Sequence, residues 1–469
     1  METGRRIFKN MMSLSVAEIA NKGIAFITFA YLARVLTPEG LGIIGWAQAF
    51  VIYFVFIVDL GFNVVGPREI ARFPDKIRKY VNNITSIKVS FALILYFFLL
   101  IATYFLDKPV EVKYVLLISG LNIFANSILF NWVFQGIEKM GIIAIRQVTT
   151  SVLNLIGVLI FVNNPGDIIL AMSIIIGSLL LNSLWMFFYY IKLFGWIKLE
   201  FDLKFWKKLL TSSIPIAVTI FITVLYNNFS IFLLGIMKSD YDTGIYVVAF
   251  KVLAFIIIPT GIIQYAFMPQ LARSLTIEDK HKFTGKYVLL TFLIGTIITA
   301  GFFTFADYIT IMGFGSAYKD SVIIVQLLMI AGLLAYINVS YSAPLLSWNH
   351  EKKIFWAMAA GGVVNITLNL LLIPKYGAVG AGIAAIFTEF TVMIGLGIII
   401  YMTIKKTYLF SFIIILSYAV ISCLAGYYLM KTGLHPLASG IIALFIFVLI
   451  NFIFKTITIS EIKETLKKN

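Results

Sequence analysis

Apolar runs of about 20 residues recur from one end of this chain to the other, and each is about long enough to cross the hydrocarbon of a bilayer. A chain so patterned has no alternation of polar and apolar faces with which to build a water-soluble core. Only 13% of its 469 residues are charged and the mean hydropathy is +0.97, against roughly a quarter charged in an ordinary soluble domain. The expectation is an all-α, polytopic membrane protein. Windowing the apolar runs gives fourteen spans: 11–35, 41–66, 82–106, 112–136, 140–162, 168–191, 210–237, 243–268, 285–306, 321–347, 353–373, 377–404, 409–430 and 436–454. The basic N-terminus precedes a stretch too long and too often interrupted by polar groups for a signal sequence, so it reads as retained.

Lysine and arginine placement orients the spans. Of the 37 basic residues, 26 fall on the side of the membrane that holds both termini, 7 fall on the other side, and Lys22, Lys88, Arg146 and Lys251 lie within spans. So uneven a split over short loops places both termini in the cytoplasm. The net charge of +15 is therefore topogenic, and a nucleic-acid partner is not expected. Cys423 is the single cysteine, which excludes an intramolecular disulfide or a cysteine metal cluster and suits a small packing residue. His281, His350 and His435 fall in loops, no metal-ligand cluster is legible, and the glycine pairs lack a strand-to-helix context. Catalytic readings are set aside, and the chain reads as no enzyme.

The connection 192–209 interleaves Trp196, Phe201, Phe205 and Trp206 with lysines, as expected of an amphipathic segment lying in the headgroup layer. It separates an N-lobe (1–191, spans one to six) from a C-lobe (210–404, spans seven to twelve); residues 405–469 add two spans and a basic cytoplasmic tail. A weak repeat supports the division. Gly42-Ile43 opens span two and Gly244-Ile245 opens span eight, 202 positions later. Two parallel six-helix lobes around a central path are a known transporter plan.

Charges at bilayer depth are costly and point to a cavity. Glu18 and Asp59 fall at one level on adjacent spans, with Lys22 one turn beyond Glu18 on the same face; these three are expected either to lock spans one and two together or to form one wall of a site. Lys88 and Arg146 lie nearer the cytoplasmic ends of their spans, where snorkelling competes with cavity lining. Lys251, flanked by Phe250 and Val252, and Glu389, at the midplane of span twelve, are the deep charges of the C-lobe. Lys22, Lys88, Arg146 and Lys251 are the expected cationic lining, with Glu18, Asp59 and Glu389 as charge partners or ligands of a coupling ion. Asn122, Asn126, Asn227, Asn228, Asn365 and Asn369 add amides that either bond helix to helix or touch substrate. Pro215, Pro259 and Pro344 are expected to kink their spans.

The string Tyr31-Leu32-Ala33-Arg34-Val35-Leu36-Thr37-Pro38-Glu39-Gly40-Leu41-Gly42, continuing to Asp59-Leu60-Gly61-Phe62, resembles the opening of the polysaccharide transporter family. Gly244-Ile245-Tyr246 through Pro269-Gln270-Leu271 and Pro374-Lys375-Tyr376-Gly377-Ala378-Val379-Gly380-Ala381-Gly382 are similar to later stretches of the same family. These are the O-antigen-type flippases of the multidrug/oligosaccharidyl-lipid/polysaccharide exporter superfamily. The resemblance implies two six-helix lobes and translocation of a polyprenyl-diphosphate-linked glycan to the outer leaflet of the cell (cytoplasmic) membrane. It further implies alternating access driven by an ion gradient (H+ or Na+) or the membrane potential, no other cofactor, and a glycan polymerase or assembly machinery as partner. Four deep bases against three deep acids suit an anionic lipid diphosphate better than a cationic drug. An ion-coupled multidrug exporter stays open as the alternative, and a membrane glycosyltransferase or polymerase stands behind it, since every external loop is short.

The orientation places the turn Pro38-Glu39-Gly40 outside. In a Cys423→Ser background, a cysteine replacing Glu39 should react with a membrane-impermeant maleimide on intact cells; labelling only after permeabilisation would invert the topology.

Overall fold

The computed structural model describes the backbone of residues 2–454 and the side chains of residues 18–454. The last four lysines of the basic tail lie outside them. Among the described residues there are helices and short turns and no strand, as a medium without water demands, because a helix satisfies its own backbone. The helices are α1 (Glu2–Asp59), α2 (Phe62–Arg72), α3 (Ile77–Phe105), α4 (Val110–Gly120), α5 (Asn122–Ser127), α6 (Asn131–Gly136), α7 (Met140–Phe161), α8 (Ile168–Phe194), α9 (Leu203–Met237), α10 (Asp240–Ile256), α11 (Ile258–Arg273), α12 (Ile277–Thr304), α13 (Ala306–Phe314), α14 (Ser321–Ser347), α15 (Glu351–Ile404), α16 (Leu409–Lys431) and α17 (Pro436–Ile453).

Twelve helical stretches in the described residues are long and apolar enough to cross a membrane, against fourteen expected spans. The difference lies in two stretches of 55 and 54 residues, each covering two expected spans; 54 residues of helix reach about 80 Å, far beyond a hydrocarbon core of about 30 Å. Both are broken where the sequence carries a turn. Thr37 adopts φ 63° and ψ 167° inside α1, just before Pro38, and its hydroxyl donates to Glu39 Oε2 at 2.9 Å. Gly377 adopts φ 55° and ψ −133° inside α15, a conformation essentially reserved for glycine.

Other expected spans are interrupted. Span two ends early, because Leu60 and Gly61 take left-handed φ of 40° and 82° and α2 sets off afresh. Asp59 therefore caps a helix end instead of sitting within one. Span four is three short helices, α4 to α6. Span eight breaks between α10 and α11, where Pro259 occupies the first turn of α11, as its fixed φ and missing N–H favour. Asn227 and Asn228 leave α9 unbroken, and α9 also runs through Pro215.

The connection 192–209 is only partly helical. Residues 192–194 finish α8, 195–202 are extended, and α9 begins at Leu203. The extended part is tied to the start of α3. Asn82 Nδ2 and Asn83 Nδ2 donate to Glu200 Oε1 and Oε2 at 2.8 and 2.7 Å, the Glu200 N–H donates to Ser86 Oγ at 2.8 Å, and Trp206 Nε1 donates to the Glu200 carbonyl at 3.2 Å.

Contacts divide the chain into two compact units, Met1–Val247 and Val248–Asn469, the boundary falling inside α10. The first holds an aromatic core around Phe62, Tyr80, Phe130, Trp132, Phe134 and Tyr190. The second is centred on Tyr287, Phe292, Tyr341, Leu396 and Ile415.

Within the first unit the repeat read from sequence becomes geometry. A Cβ built on Gly42 would collide with the carbonyl oxygen of Asp240, and one built on Gly244 would collide with the carbonyl oxygen of Pro38. Gly42 and Gly244 differ by 202 positions, and so do Pro38 and Asp240, so the contact is reciprocal, each glycine meeting the residue four before its counterpart. Lys108 ties the same region together, with its Nζ 3.0 Å from Asp240 Oδ1 and 5.5 Å from the centroid of the buried Trp46 ring.

Gly42→Ala and Gly244→Ala should each cost about 1–3 kcal/mol through overpacking, read as a lower melting temperature in detergent. Gly23→Ala, where a Cβ meets nothing within 4 Å, should leave it unchanged; equal effects at all three positions would contradict the close approach.

Candidate functional site

Asp59 lies at the C-terminal end of α1, where the helix dipole disfavours a carboxylate. Lys88 of α3 offsets this: its Nζ stands 3.0 Å from Asp59 Oδ1, with side-chain exposures of 2% for Lys88 and 15% for Asp59. Lys88 thus does not snorkel to the interface. Two turns of α3 point a polar face inward, since Asn82, Asn83, Thr85, Ser86 and Lys88 are all buried, and the same helix clamps Glu200. A pair this buried resists loss of either partner more than it rewards the presence of both.

Glu18 and Lys22 form their own pair at 3.0 Å along one face of α1, each about two-fifths exposed, a geometry worth a few tenths of a kcal/mol. The structure therefore distributes the expected triad of Glu18, Lys22 and Asp59 over two ion pairs, with Lys88 supplying the partner that Asp59 was expected to find on span one.

α1 and α7 run parallel. Ser151 donates to Asn21 Oδ1 and the Tyr31 hydroxyl donates to the Val162 carbonyl, at offsets of 130 and 131 residues. Beside this seam Arg146 is buried at 8% exposure, and its Nε has no hydrogen-bond partner among the described residues. Asn182 Nδ2 of α8 donates to the Arg146 carbonyl at 3.2 Å, which fixes the backbone and leaves the guanidinium Nε unmet. Arginine does not shed its proton to relieve such burial, so this position favours an anion or water.

In the second unit Asn338 of α14 donates through Nδ2 to Glu389 Oε2 at 2.6 Å and to the Glu389 carbonyl at 3.0 Å. Asn365 Nδ2 donates to Thr388 Oγ1 at 3.2 Å, joining the two halves of α15 across the Gly377 break, and Asn369 Nδ2 donates to Asn365 Oδ1 at 3.1 Å. Asn365, 3% exposed, thus bonds helix to helix, while Asn369, 0% exposed, donates back along its own helix. Asn126 likewise donates to Asn122 Oδ1 at 2.7 Å. Asn227 and Asn228 donate to the carbonyls of Thr223 and Val224, both at 2.9 Å, and Asn227 is exposed. Lys251 of α10 is exposed beside the fully buried Val252, although it sits in the middle of an apolar helix.

Sequence reasoning missed Asn338, Glu200 and the amide pair Asn82-Asn83. Asn338 had a signal, an amide inside an otherwise apolar run; Glu200 had none, because its partners lie more than 110 residues away.

The family profile described as polysaccharide biosynthesis protein matches residues 7–275. The chain belongs to that family. Its relatives include the putative O-antigen transporter of Escherichia coli K12, 23% identical over 391 residues and covering 81% of this chain and 93% of the relative. The capsular polysaccharide biosynthesis protein CapF of Staphylococcus aureus is 21% identical over 399 residues, covering 82% and 97%. Among solved structures, the lipid II flippase MurJ in an inward closed conformation matches with TM-score 0.72 at 15% identity, over 94% of this chain and 98% of that one. An inward-facing multidrug MATE transporter matches with TM-score 0.65 at 14% identity, over 86% and 98%. The fold of this family member is thus that of the multidrug/oligosaccharidyl-lipid/polysaccharide superfamily.

Lys88→Met should lose about 3–5 kcal/mol of stability by stranding a buried carboxylate, measured by denaturant or thermal unfolding in detergent. Adding Asp59→Leu should recover more than half of that loss; no recovery would mean that the pair is not the cause.

Proposed function

We propose that this protein is a flippase that carries a polyprenyl-diphosphate-linked oligosaccharide from the cytoplasmic to the outer leaflet by alternating access. The observation that carries the reading is Arg146, a buried guanidinium whose Nε lacks a partner among the described residues: a membrane protein that buries such a group is built to meet negative charge. The family match, the relatives named for O-antigen transport and the fold shared with a lipid II flippase support the same reading. Nothing in this activity makes or breaks a covalent bond; the residues bind, release and reorient.

In this proposal α1 and α15 each cross the membrane twice, giving fourteen crossings with both termini in the cytoplasm of the cell membrane. The N-lobe (1–191) and C-lobe (210–404) alternate, with the last two crossings appended. Arg146 of the first unit and Lys251 of the second each favour an anion such as the diphosphate. Lys22 and Lys88 are held by Glu18 and Asp59 while the site is empty, and a lysine drawn toward substrate frees its carboxylate for a coupling H+ or Na+. Glu389, held by Asn338, is the corresponding acid of the second unit. A glycan polymerase or assembly machinery would receive the product.

The MATE likeness favours a second reading, ion-coupled export of cationic drugs, in which Asp59 and Glu389 would bind cargo. Reconstitution into liposomes with a labelled polyprenyl-diphosphate oligosaccharide, with and without an imposed gradient, decides between them. The labelled lipid should change leaflets, and Lys22→Gln combined with Lys251→Gln should slow it at least about tenfold, the loss of about 1.4 kcal/mol of anion binding. Unchanged transport in that variant would remove the site assignment. Drug efflux lost with Asp59→Asn, without glycolipid movement, would replace the function.

A further inference from the structure

α9 is the least buried of the long apolar helices, only 17% of its best membrane window lying inside the protein, and its open surface is of two kinds. Ile214, Val218 and Phe221 form one exposed edge, suited to lipid. Thr219, Thr223 and Asn227, each four residues apart and all exposed, form another roughly opposite, with Ser213 and Ala217 buried between them. Spacing by four stacks these three side chains on one face. An amide whose second N–H and carbonyl are left over is costly against acyl chains, so the polar edge suits a water-filled path.

The hydrogen bonds define what this edge offers. Thr219 Oγ1 donates to the Pro215 carbonyl and Thr223 Oγ1 to the Thr219 carbonyl, both at 3.4 Å, and Asn227 Nδ2 donates to the Thr223 carbonyl at 2.9 Å. At 3.4 Å the two hydroxyl contacts are long for O–H···O bonds, so each hydroxyl can still donate as well as accept, and the amide has spent one of its two protons. What remains is a row of uncharged donors and acceptors with about 6 Å between successive positions. Such groups pair with sugar hydroxyls, which also donate and accept, and offer no countercharge to a diphosphate. The row is long enough to meet more than one sugar ring.

We propose that Thr219, Thr223 and Asn227 form a glycan-reading edge that takes the hydroxyls of the oligosaccharide while the diphosphate is bound elsewhere. This rests on the flippase reading above and adds to it the residues that sense the length of the sugar chain.

The test uses the full-length protein in liposomes with two labelled probes, a polyprenyl diphosphate bearing one sugar and one bearing an oligosaccharide. The wild type should move the oligosaccharide probe faster. The variant Thr219→Val/Thr223→Val/Asn227→Leu should lose that preference by roughly tenfold while moving the one-sugar probe at the wild-type rate, since two or three hydrogen bonds are removed. Thr219→Ser/Thr223→Ser, which keeps the hydroxyls, should retain the preference. A triple variant that keeps the wild-type preference, or that slows both probes equally with an unchanged melting temperature, overturns the proposal. If the triple variant melts early, Asn227→Leu alone is read by the same preference. A wild type that moves neither probe defeats the flippase reading itself, a different failure.

Discussion

A carboxylate within the apolar phase must be given a partner by the protein, since no water will serve, and the Asp59–Lys88 pair shows how much structure that requirement organises. Asp59 ends α1 because the chain breaks at Leu60-Gly61. The helix end then points a negative dipole at a negative side chain, which only a buried cation at 3.0 Å can compensate. To deliver that cation, α3 turns a polar face inward, and the polar face in turn receives Glu200 from the extended segment after α8. One ion pair and one clamp, both on α3, thus hold the end of α1 and the chain leading into α9.

The reciprocal glycine contact works by a different kind of economy. Apolar side chains gain nothing from leaving lipid for each other, so close packing of backbones does the holding. Gly42 against Asp240 and Gly244 against Pro38 let two helices approach until any Cβ would collide. Because the partners sit at one constant offset, the contact has the self-complementary form of an isologous interface, written within a single chain. Small side chains there serve proximity, and the half-buried Lys108–Asp240 pair lies beside it.

Much of this was legible in the sequence, for reasons that can be named. Helices follow from the apolar runs, the breaks at Thr37-Pro38 and Gly377 follow from turn residues, and the Gly42/Gly244 repeat was visible before its contact was. What escaped was pairing across distance. Glu18 and Lys22 fall on one face because they are four residues apart, whereas Lys88, 29 residues from Asp59, has a depth in the sequence but no partner there. Asn365 and Asn369 share one face, as four residues dictate, but nothing local says that Asn365 turns toward Thr388 in place of an open path. The early end of span two was missed because Phe62, Val64 and Val65 keep the hydropathy high past the break; hydropathy does not see a positive φ.

Accounting for donors and acceptors separates groups that depth alone lumps together. Arg146 presents a buried N–H with nothing to receive it, and Lys251 an exposed cation in an apolar helix; both favour negative charge. Thr219, Thr223 and Asn227 present uncharged donors and acceptors, which offer negative charge no counterion. On the proposed reading, a molecule with a charged diphosphate at one end and a run of hydroxyls at the other would use both kinds of group. That difference in chemistry, and not the fold, is what would separate a lipid-linked glycan from a cationic drug, because the fold is shared with a lipid II flippase and a multidrug transporter alike.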